Sequence, residues 1–232
     1  MMKNFAATAL KSITMSFALV AIVTLAHTVA RADEVTYAGY TNGTFNGTPA
    51  AMQGPGPQQT SLLGLSYTNS TFSDTTVNGF DGIGGNPAPQ GTQGFNNLGS
   101  VTLANTANNY TGNSFTLRVT FTLPTGINNP AGGSATFSAT LTGAVNSTSN
   151  GGVRFDFNNA PILFTFSNAQ ASGSFLLSVN DFSVDAGQTA SITGQLTAAQ
   201  QNAIPEPATM LLLGTGLAGV AARVRKRRNT AK

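Results

Sequence analysis

Residues 114–123, SFTLRVTFTL, alternate between apolar and polar side chains over ten positions. The apolar side chains occupy every second position from Phe115 to Leu123, and the positions between them hold Ser, Thr and Arg. Strict alternation over this length predicts a β-strand with one buried face and one solvent-exposed face.

The same pattern recurs in residues 135–143, ATFSATLTG, where Phe137, Ala139 and Leu141 form the apolar side. The connection between the two segments is rich in Pro, Gly and Asn, so the two strands are predicted to form an antiparallel pair. Further strands are predicted at Val35–Tyr40, Ser61–Phe72, Val101–Ala104, Val153–Phe157, Ile162–Phe166, Ser174–Val184 and Ala190–Leu196.

The apolar phase of the segment Ser174–Val184 changes near Asn180, which predicts a β-bulge at that point. No stretch of residues 33–203 has a clear 3.6-residue period, and Gly-, Asn- and Pro-rich turns separate the predicted strands. Residues 33–203 are therefore predicted to form an all-β domain, an antiparallel β-sandwich, with a jelly-roll arrangement as an open alternative. The segments 42–60 and 78–97 are predicted to be surface loops.

The first 32 residues have the three parts of a secretory signal peptide. Lys3 and Lys11 precede an apolar run, and the segment ends in a small-x-small pattern whose small residues are Ala30 and Ala32. We therefore expect residues 1–32 to direct secretion and to be cut by signal peptidase before Asp33. An uncleaved anchor is the alternative, but the apolar run is short for a membrane span.

Charge is concentrated at the two ends of the sequence. The formal net charge is +3, yet residues 33–203 contain only two arginines, Arg118 and Arg154, against seven acidic residues. A nucleic-acid-binding domain needs a basic surface of its own, so the composition argues against nucleic acid as a partner.

The predicted mature domain lacks the side chains that most catalytic sites require. The chain has no Cys, and its single histidine, His27, falls within the predicted signal peptide. Without His, Cys or Lys, Ser-His-Asp triads, Schiff-base chemistry and ordinary zinc sites are excluded. Paired carboxylates, as in glycosidases, stay possible in principle, but nothing in the sequence places two aspartates together, so we expect no enzyme activity and no cofactor. Asp74, Asp81, Asp181 and Asp185 are weak candidates for a calcium site, but none has EF-hand spacing. Aspartates in turns commonly supply hydrogen bonds to the turn itself, so no metal site is predicted.

The C-terminal segment 204–228 begins IPEP, continues as an uncharged run from Ala208 to Ala222, and ends in a basic cluster. This pattern predicts a single transmembrane helix over about residues 207–223, with residues 229–232 as the end of a cytoplasmic tail. The cluster is expected to stop translocation and to remain cytoplasmic; it consists of Arg223, Arg225, Lys226, Arg227 and Arg228.

The ordered triplet Pro205-Glu206-Pro207, the short Leu/Gly/Ala run and the arginine-rich end resemble the PEP-CTERM sorting signal of exported bacterial proteins. The resemblance covers about 25 residues and implies recognition by an exosortase, a membrane-embedded enzyme expected to cut near the triplet. Pro205, Glu206 and Pro207 would then be recognition residues of a substrate.

Together these features predict an exported, non-catalytic protein of the cell surface or extracellular matrix. It would pass through the secretion machinery, be held in the inner membrane as a precursor, and act in the exopolysaccharide layer after processing. Two alternatives stay open: a glycan-binding, adhesin-like module that uses the loops around residues 74–97, and a single-pass membrane protein that is never cleaved.

Overall fold

The computed structural model describes residues 31–32, 34–48, 56–203, 213–220 and 223. Within these ranges the chain forms eighteen β-strands, one 3₁₀ turn at Ala131–Gly133 and an α-helical segment at residues 213–220. The strands are β1 (Arg31–Ala32), β2 (Thr36–Phe45), β3 (Gln59–Leu62), β4 (Leu65–Thr68), β5 (Ser70–Thr75), β6 (Asp81–Ile83), β7 (Gly94–Phe95), β8 (Ser100–Leu103), β9 (Asn108–Asn109), β10 (Ser114–Leu123), β11 (Ile127–Asn129), β12 (Ser134–Val145), β13 (Gly151–Phe157), β14 (Ile162–Ser167), β15 (Ala171–Val179), β16 (Phe182–Asp185), β17 (Thr189–Ser191) and β18 (Gly194–Ala203).

The strands of the described ranges form three sheets. The eight-stranded sheet has the order β16-β13-β12-β10-β2-β5-β7, with β9 also paired to β12. The six-stranded sheet has the order β1-β18-β15-β14-β11, with β6 also paired to β18, and the four-stranded sheet has the order β17-β8-β4-β3. Among the strand pairs whose register is resolved, all are antiparallel except β5 with β7, which is parallel.

Strand β10 lies in the middle of the eight-stranded sheet and matches the predicted strand at both ends. Phe115, Leu117, Val119 and Phe121 are buried, as the alternation predicts. The predicted antiparallel partner is β12, with Leu117 opposite Phe137. Leu123 departs from the pattern because the register against β2 shifts after Phe121, which turns its side chain outward.

Aromatic rings join the three sheets into one core. The ring of Phe121, on the eight-stranded sheet, lies 4.8 Å from that of Phe164 and 4.9 Å from that of Phe175, both on the six-stranded sheet. The ring of Tyr67, on the four-stranded sheet, lies 5.2 Å from that of Phe115. The prediction of an all-β domain is confirmed, and one face of the eight-stranded sheet packs on the other two sheets.

The predicted bulge near Asn180 is wrong. The predicted strand Ser174–Val184 divides there into β15 and β16, which belong to different sheets. The predicted strand Ala190–Leu196 divides in the same way into β17 and β18. When the chain passes from one sheet to the sheet across the core, its apolar side chains must switch faces to keep pointing into that core. The change of apolar phase near Asn180 therefore marks a crossover between sheets.

The predicted strand Ser61–Phe72 divides into three. Leu63 and Gly64 have φ values of 50° and 92° and form the turn between β3 and β4. Asn69 separates β4 from β5, because its buried side chain accepts the Gln58 N–H at 2.8 Å and donates to the Gly56 carbonyl at 2.7 Å. The predicted loop 78–97 likewise contains two short strands, β6 and β7, and a fully buried Asn97.

Strand β18 contains a bulge that gives a testable stability prediction. Ala198 has φ = 50°, in the left-handed region that costs a residue with a Cβ roughly 1–2 kcal/mol. We expect Ala198→Gly to raise the free energy of unfolding by about 1 kcal/mol, since glycine adopts this conformation without the steric penalty. Urea unfolding measures the change, and Ala199→Gly, next to it and without positive φ, is the control that should be destabilising. A loss of stability in Ala198→Gly would contradict the prediction.

Candidate functional site

The β domain reaches the C-terminal sorting segment without an intervening loop. Strand β18 ends at Ala203, which is paired with Ala171 of β15. The predicted recognition residues Pro205, Glu206 and Pro207 lie outside the described residues, two to four positions after the last paired residue. The last strand of the domain therefore leads directly into the segment that a processing enzyme would read.

The described part of the predicted membrane segment is helical over residues 213–220. These eight described residues fall within the predicted span 207–223 and account for about 12 Å of helix at 1.5 Å per residue. Among the described residues, no helix has both the length and the apolar character needed to cross a bilayer. Arg223 is helical, whereas Arg225, Lys226, Arg227 and Arg228 lie outside the described residues.

Cleavage of the signal peptide before Asp33 stays a prediction. Ala30 lies outside the described residues, and Ala32 belongs to β1.

Two of the predicted calcium candidates, Asp74 and Asp81, come together around Tyr37. Tyr37 lies on β2 opposite Asp74 of β5, and its buried phenol donates a hydrogen bond to the Asp81 carboxylate. Burial raises the pKa of Tyr37 well above its ordinary value, and the hydrogen bond to Asp81 and the charges of both carboxylates raise it further. The phenol therefore stays protonated and acts as a donor to Asp81.

A cavity of about 270 Å³ lies beside this group. Its lining combines Tyr37 and Phe72 with the segment 82–85 and the polar residues Asp74 and Asn96. The Asp74 carboxylate accepts the N–H of Thr75 at 2.8 Å. Hydroxyl, amide and carboxylate groups above an aromatic wall suit a small polar ligand better than an apolar one. No three acidic or histidine side chains of the described residues cluster as metal ligands do.

The other two candidates, Asp181 and Asp185, do not form a site together. Asp181 accepts hydrogen bonds from the Arg154 guanidinium at 3.0 Å and from the Phe157 N–H at 2.8 Å. Asp185 ends β16 and is exposed. Arg154 also lies 3.7 Å from the carboxylate of Asp156, but its shorter ion pair is with Asp181. Asp181 thus ties the crossover after β15 to the end of β13.

The contacts of Asp181 predict a pH dependence of stability. Burial raises its pKa, but the Phe157 N–H and the Arg154 charge, with other polar contacts, lower the pKa more, so it lies below its ordinary value. A carboxyl whose pKa is lower in the folded state stabilises the fold above the unfolded pKa of about 3.9, and loses that effect as pH falls through the folded value. Asp181→Asn should therefore reduce stability at pH 6 and make little difference at pH 2.

Urea unfolding at the two pH values measures this effect. Asp185→Asn, at the other end of β16, is the matched control and should change stability little at either pH. An equal loss for Asp181→Asn at pH 6 and pH 2 would show that the carboxylate charge does not matter.

Sequence reasoning identified Asp74 and Asp81 but missed Tyr37, because its contact with Asp81 joins residues 44 positions apart. Tyr37 and Tyr40 fall on opposite faces of β2 and both are buried, so alternation along this strand does not single out Tyr37. No local signal shows which side chain its hydroxyl meets.

Comparison with known families agrees with the C-terminal pattern. The PEP-CTERM protein-sorting motif matches residues 203–228, beginning at the last residue of β18. No curated protein and no solved structure matches the chain. The match includes Pro205, Glu206 and Pro207 and the whole basic cluster. The chain therefore carries a PEP-CTERM protein-sorting motif, the mark of an exported protein that is sorted by an exosortase.

Proposed function

We propose that this protein is a non-catalytic structural component of the exopolysaccharide layer, exported, cut by an exosortase near Pro205 and delivered to the cell surface. The observation that carries the proposal is the position of the sorting motif, which starts where the folded β domain ends. Cutting near Pro205 would release the whole β domain and leave the basic cluster behind. Residues 33–203 contain only two arginines and seven acidic residues, and this low content of charged side chains supports contacts with polymers through uncharged polar groups.

The membrane-held precursor belongs to the same proposal. The uncharged run from Ala208 to Ala222 would hold the chain in the inner membrane, and the basic cluster that follows would keep its end on the cytoplasmic side. Signal peptidase would act earlier, before Asp33.

Mass spectrometry of the mature C-terminus in the native host, with and without its exosortase, tests the processing step. We expect a C-terminus near Pro205 when the enzyme is present, and the intact basic tail when it is absent. Replacing Pro205, Glu206 and Pro207 together by Ala should also leave the tail intact, whereas Thr230→Ala, outside the matched motif, should have no effect. A wild-type protein that keeps its tail in the presence of the exosortase would favour the uncleaved single-pass alternative.

The non-catalytic role is tested by incubating the mature protein with polysaccharides of the host layer. We expect no cleavage of any of them. Hydrolysis that is lost when one of the aspartates is replaced by Asn would overturn this part of the proposal.

A second function, glycan binding, is favoured by one observation: the segment 74–97 shapes the cavity beside Tyr37. Sugars bind through hydroxyl hydrogen bonds to carboxylates and amides, which Asp74 and Asn96 supply there. Retention on a glycan panel, with and without calcium, tests this function. Asp74→Asn with Asn96→Ala should reduce retention and Asp185→Asn should not. No retention of the wild-type protein on any glycan would rule it out.

A further inference from the structure

The sorting motif and the fold overlap at one residue, Ala203. This residue is both the first position matched by the motif and the last residue of β18, where it pairs with Ala171 of β15. An extended chain spans at most about 3.6 Å per residue, so the two residue steps from Ala203 to the first proline of the triplet span no more than about 7 Å. A processing enzyme that takes Pro205 into a cleft must therefore also accommodate the folded edge, or the strand end must leave the sheet.

A bulge separates the end of β18 from the rest of the strand. Gln200 pairs with Ser174, but Thr197 pairs with Leu176, so two residues of β18 oppose the single residue Phe175. At the bulge, the Ala199 N–H leaves the strand ladder and donates to the Gly79 carbonyl at 3.1 Å. Beyond the bulge only four residues, 200–203, remain paired with β15.

The two sides of the bulge differ in what they bury. Before it, Leu196 is fully buried, and Ala199 at the bulge is 3% exposed. After it, Gln201 and Asn202 are only partly buried, and their partners on β15 are Gly173 and Ser172. Of the four β15 partners of residues 200–203, only Ala171 belongs to the buried core. Separating residues 200–203 from β15 thus exposes less apolar surface than separating the first half, which would open the core.

The other edge of β18 does not change this conclusion. Strand β6 pairs only with residues 194–196 of β18, before the bulge. Strand β1 also pairs with β18, but it precedes the predicted signal-peptidase cut and would be absent from the exported protein.

From these observations we infer that residues 200–203 of β18 detach from β15, with the bulge at Ala198 as the hinge, when the sorting segment is processed. The inference rests on the proposed processing by an exosortase and specifies the form of the substrate that the enzyme accepts. The β domain stays folded up to Ala199, and the enzyme receives a stretch of extended chain on the N-terminal side of Pro205.

A cross-strand disulfide tests the inference, since the chain has no native cysteine and the compartment outside the inner membrane is oxidising. Ser172→Cys with Asn202→Cys ties the end of β18 to β15, beyond the bulge. Leu176→Cys with Thr197→Cys ties the same two strands before the bulge and is the matched control. Disulfide formation in each variant is verified by mass.

We expect the oxidised Ser172→Cys/Asn202→Cys variant to be processed about tenfold more slowly than the wild type or worse, because the opening that precedes cleavage is blocked. The control disulfide should leave processing unchanged. A flexible spacer of about eight Gly and Ser residues, inserted after Ala203, should restore processing of the blocked variant, which also shows that this variant is exported and folded.

Two results would overturn the inference: normal processing of the oxidised Ser172→Cys/Asn202→Cys variant, or a block that the spacer does not relieve. Failure of the proposed function looks different, because the wild-type protein itself would then keep its basic tail whether or not the exosortase is present.

Discussion

Replacing Phe121 with Ala is expected to lower the free energy of unfolding by about 3–5 kcal/mol, the usual cost of truncating a buried aromatic ring. The ring lies where the eight-stranded and six-stranded sheets meet. Its centroid is 4.8 Å from that of Phe164, 4.9 Å from that of Phe175 and 5.3 Å from that of Phe72. Sheets that meet through these rings cannot close over the vacancy without shifting whole strands, so most of the cavity would remain.

Urea unfolding of the purified chain, followed by far-ultraviolet circular dichroism, measures this loss. Leu123→Ala is the matched control, since Leu123 lies two positions further along the same strand but is 40% exposed. We expect the control to cost less than about 1 kcal/mol. A loss in Phe121→Ala no larger than in the control would mean that the sheets are not held together at this point.

Replacing Gly143 with Ala is expected to cost on the order of 3 kcal/mol, because two penalties coincide there. Gly143 has φ = 117°, a conformation that residues with a Cβ rarely adopt. A Cβ at this position would also lie 2.2 Å from the Gly152 carbonyl oxygen on the neighbouring strand β13. The new methyl group must therefore push apart two strands in the middle of a ladder.

Gly112→Ala separates the two penalties. Gly112 has φ = 91°, but a Cβ there would meet no atom within 4 Å. Its substitution should cost about 1 kcal/mol, from the backbone conformation alone. Equal losses for the two variants, measured by the same urea unfolding, would show that the close approach of β12 and β13 contributes nothing.

The strands that could be predicted from the sequence are those that stay in one sheet. For β10 and β12 the period-two pattern indicated the strand, its buried face and its partner, because alternate residues of a strand point to opposite faces whatever the rest of the fold does. Where the chain crosses between layers, the same rule failed. The segments 174–184 and 190–196 each point apolar side chains into the one core along their length. A local pattern does not show that the two halves of each segment belong to different sheets.

The candidate sites divide in the same way. The PEP-CTERM motif is a linear signal that an enzyme reads along the chain, so Pro205, Glu206, Pro207 and the basic cluster could be identified from residue order alone. The cavity beside Tyr37 depends on contacts between distant parts of the chain, as does the tie from Asp181 to Arg154. Oxygen-bearing residues in turns suggested calcium, but nothing local indicated which carboxylates would meet.

By itself, the sequence determined that this is an all-β protein with a C-terminal sorting signal, because strand periodicity and a linear recognition motif are both local properties of the chain. Only the tertiary structure decided that the last strand runs into that signal without a spacer, and that a bulge at Ala198 sets its final four residues apart. Register and bulges follow from which strands pair, and pairing joins residues that lie far apart in the chain.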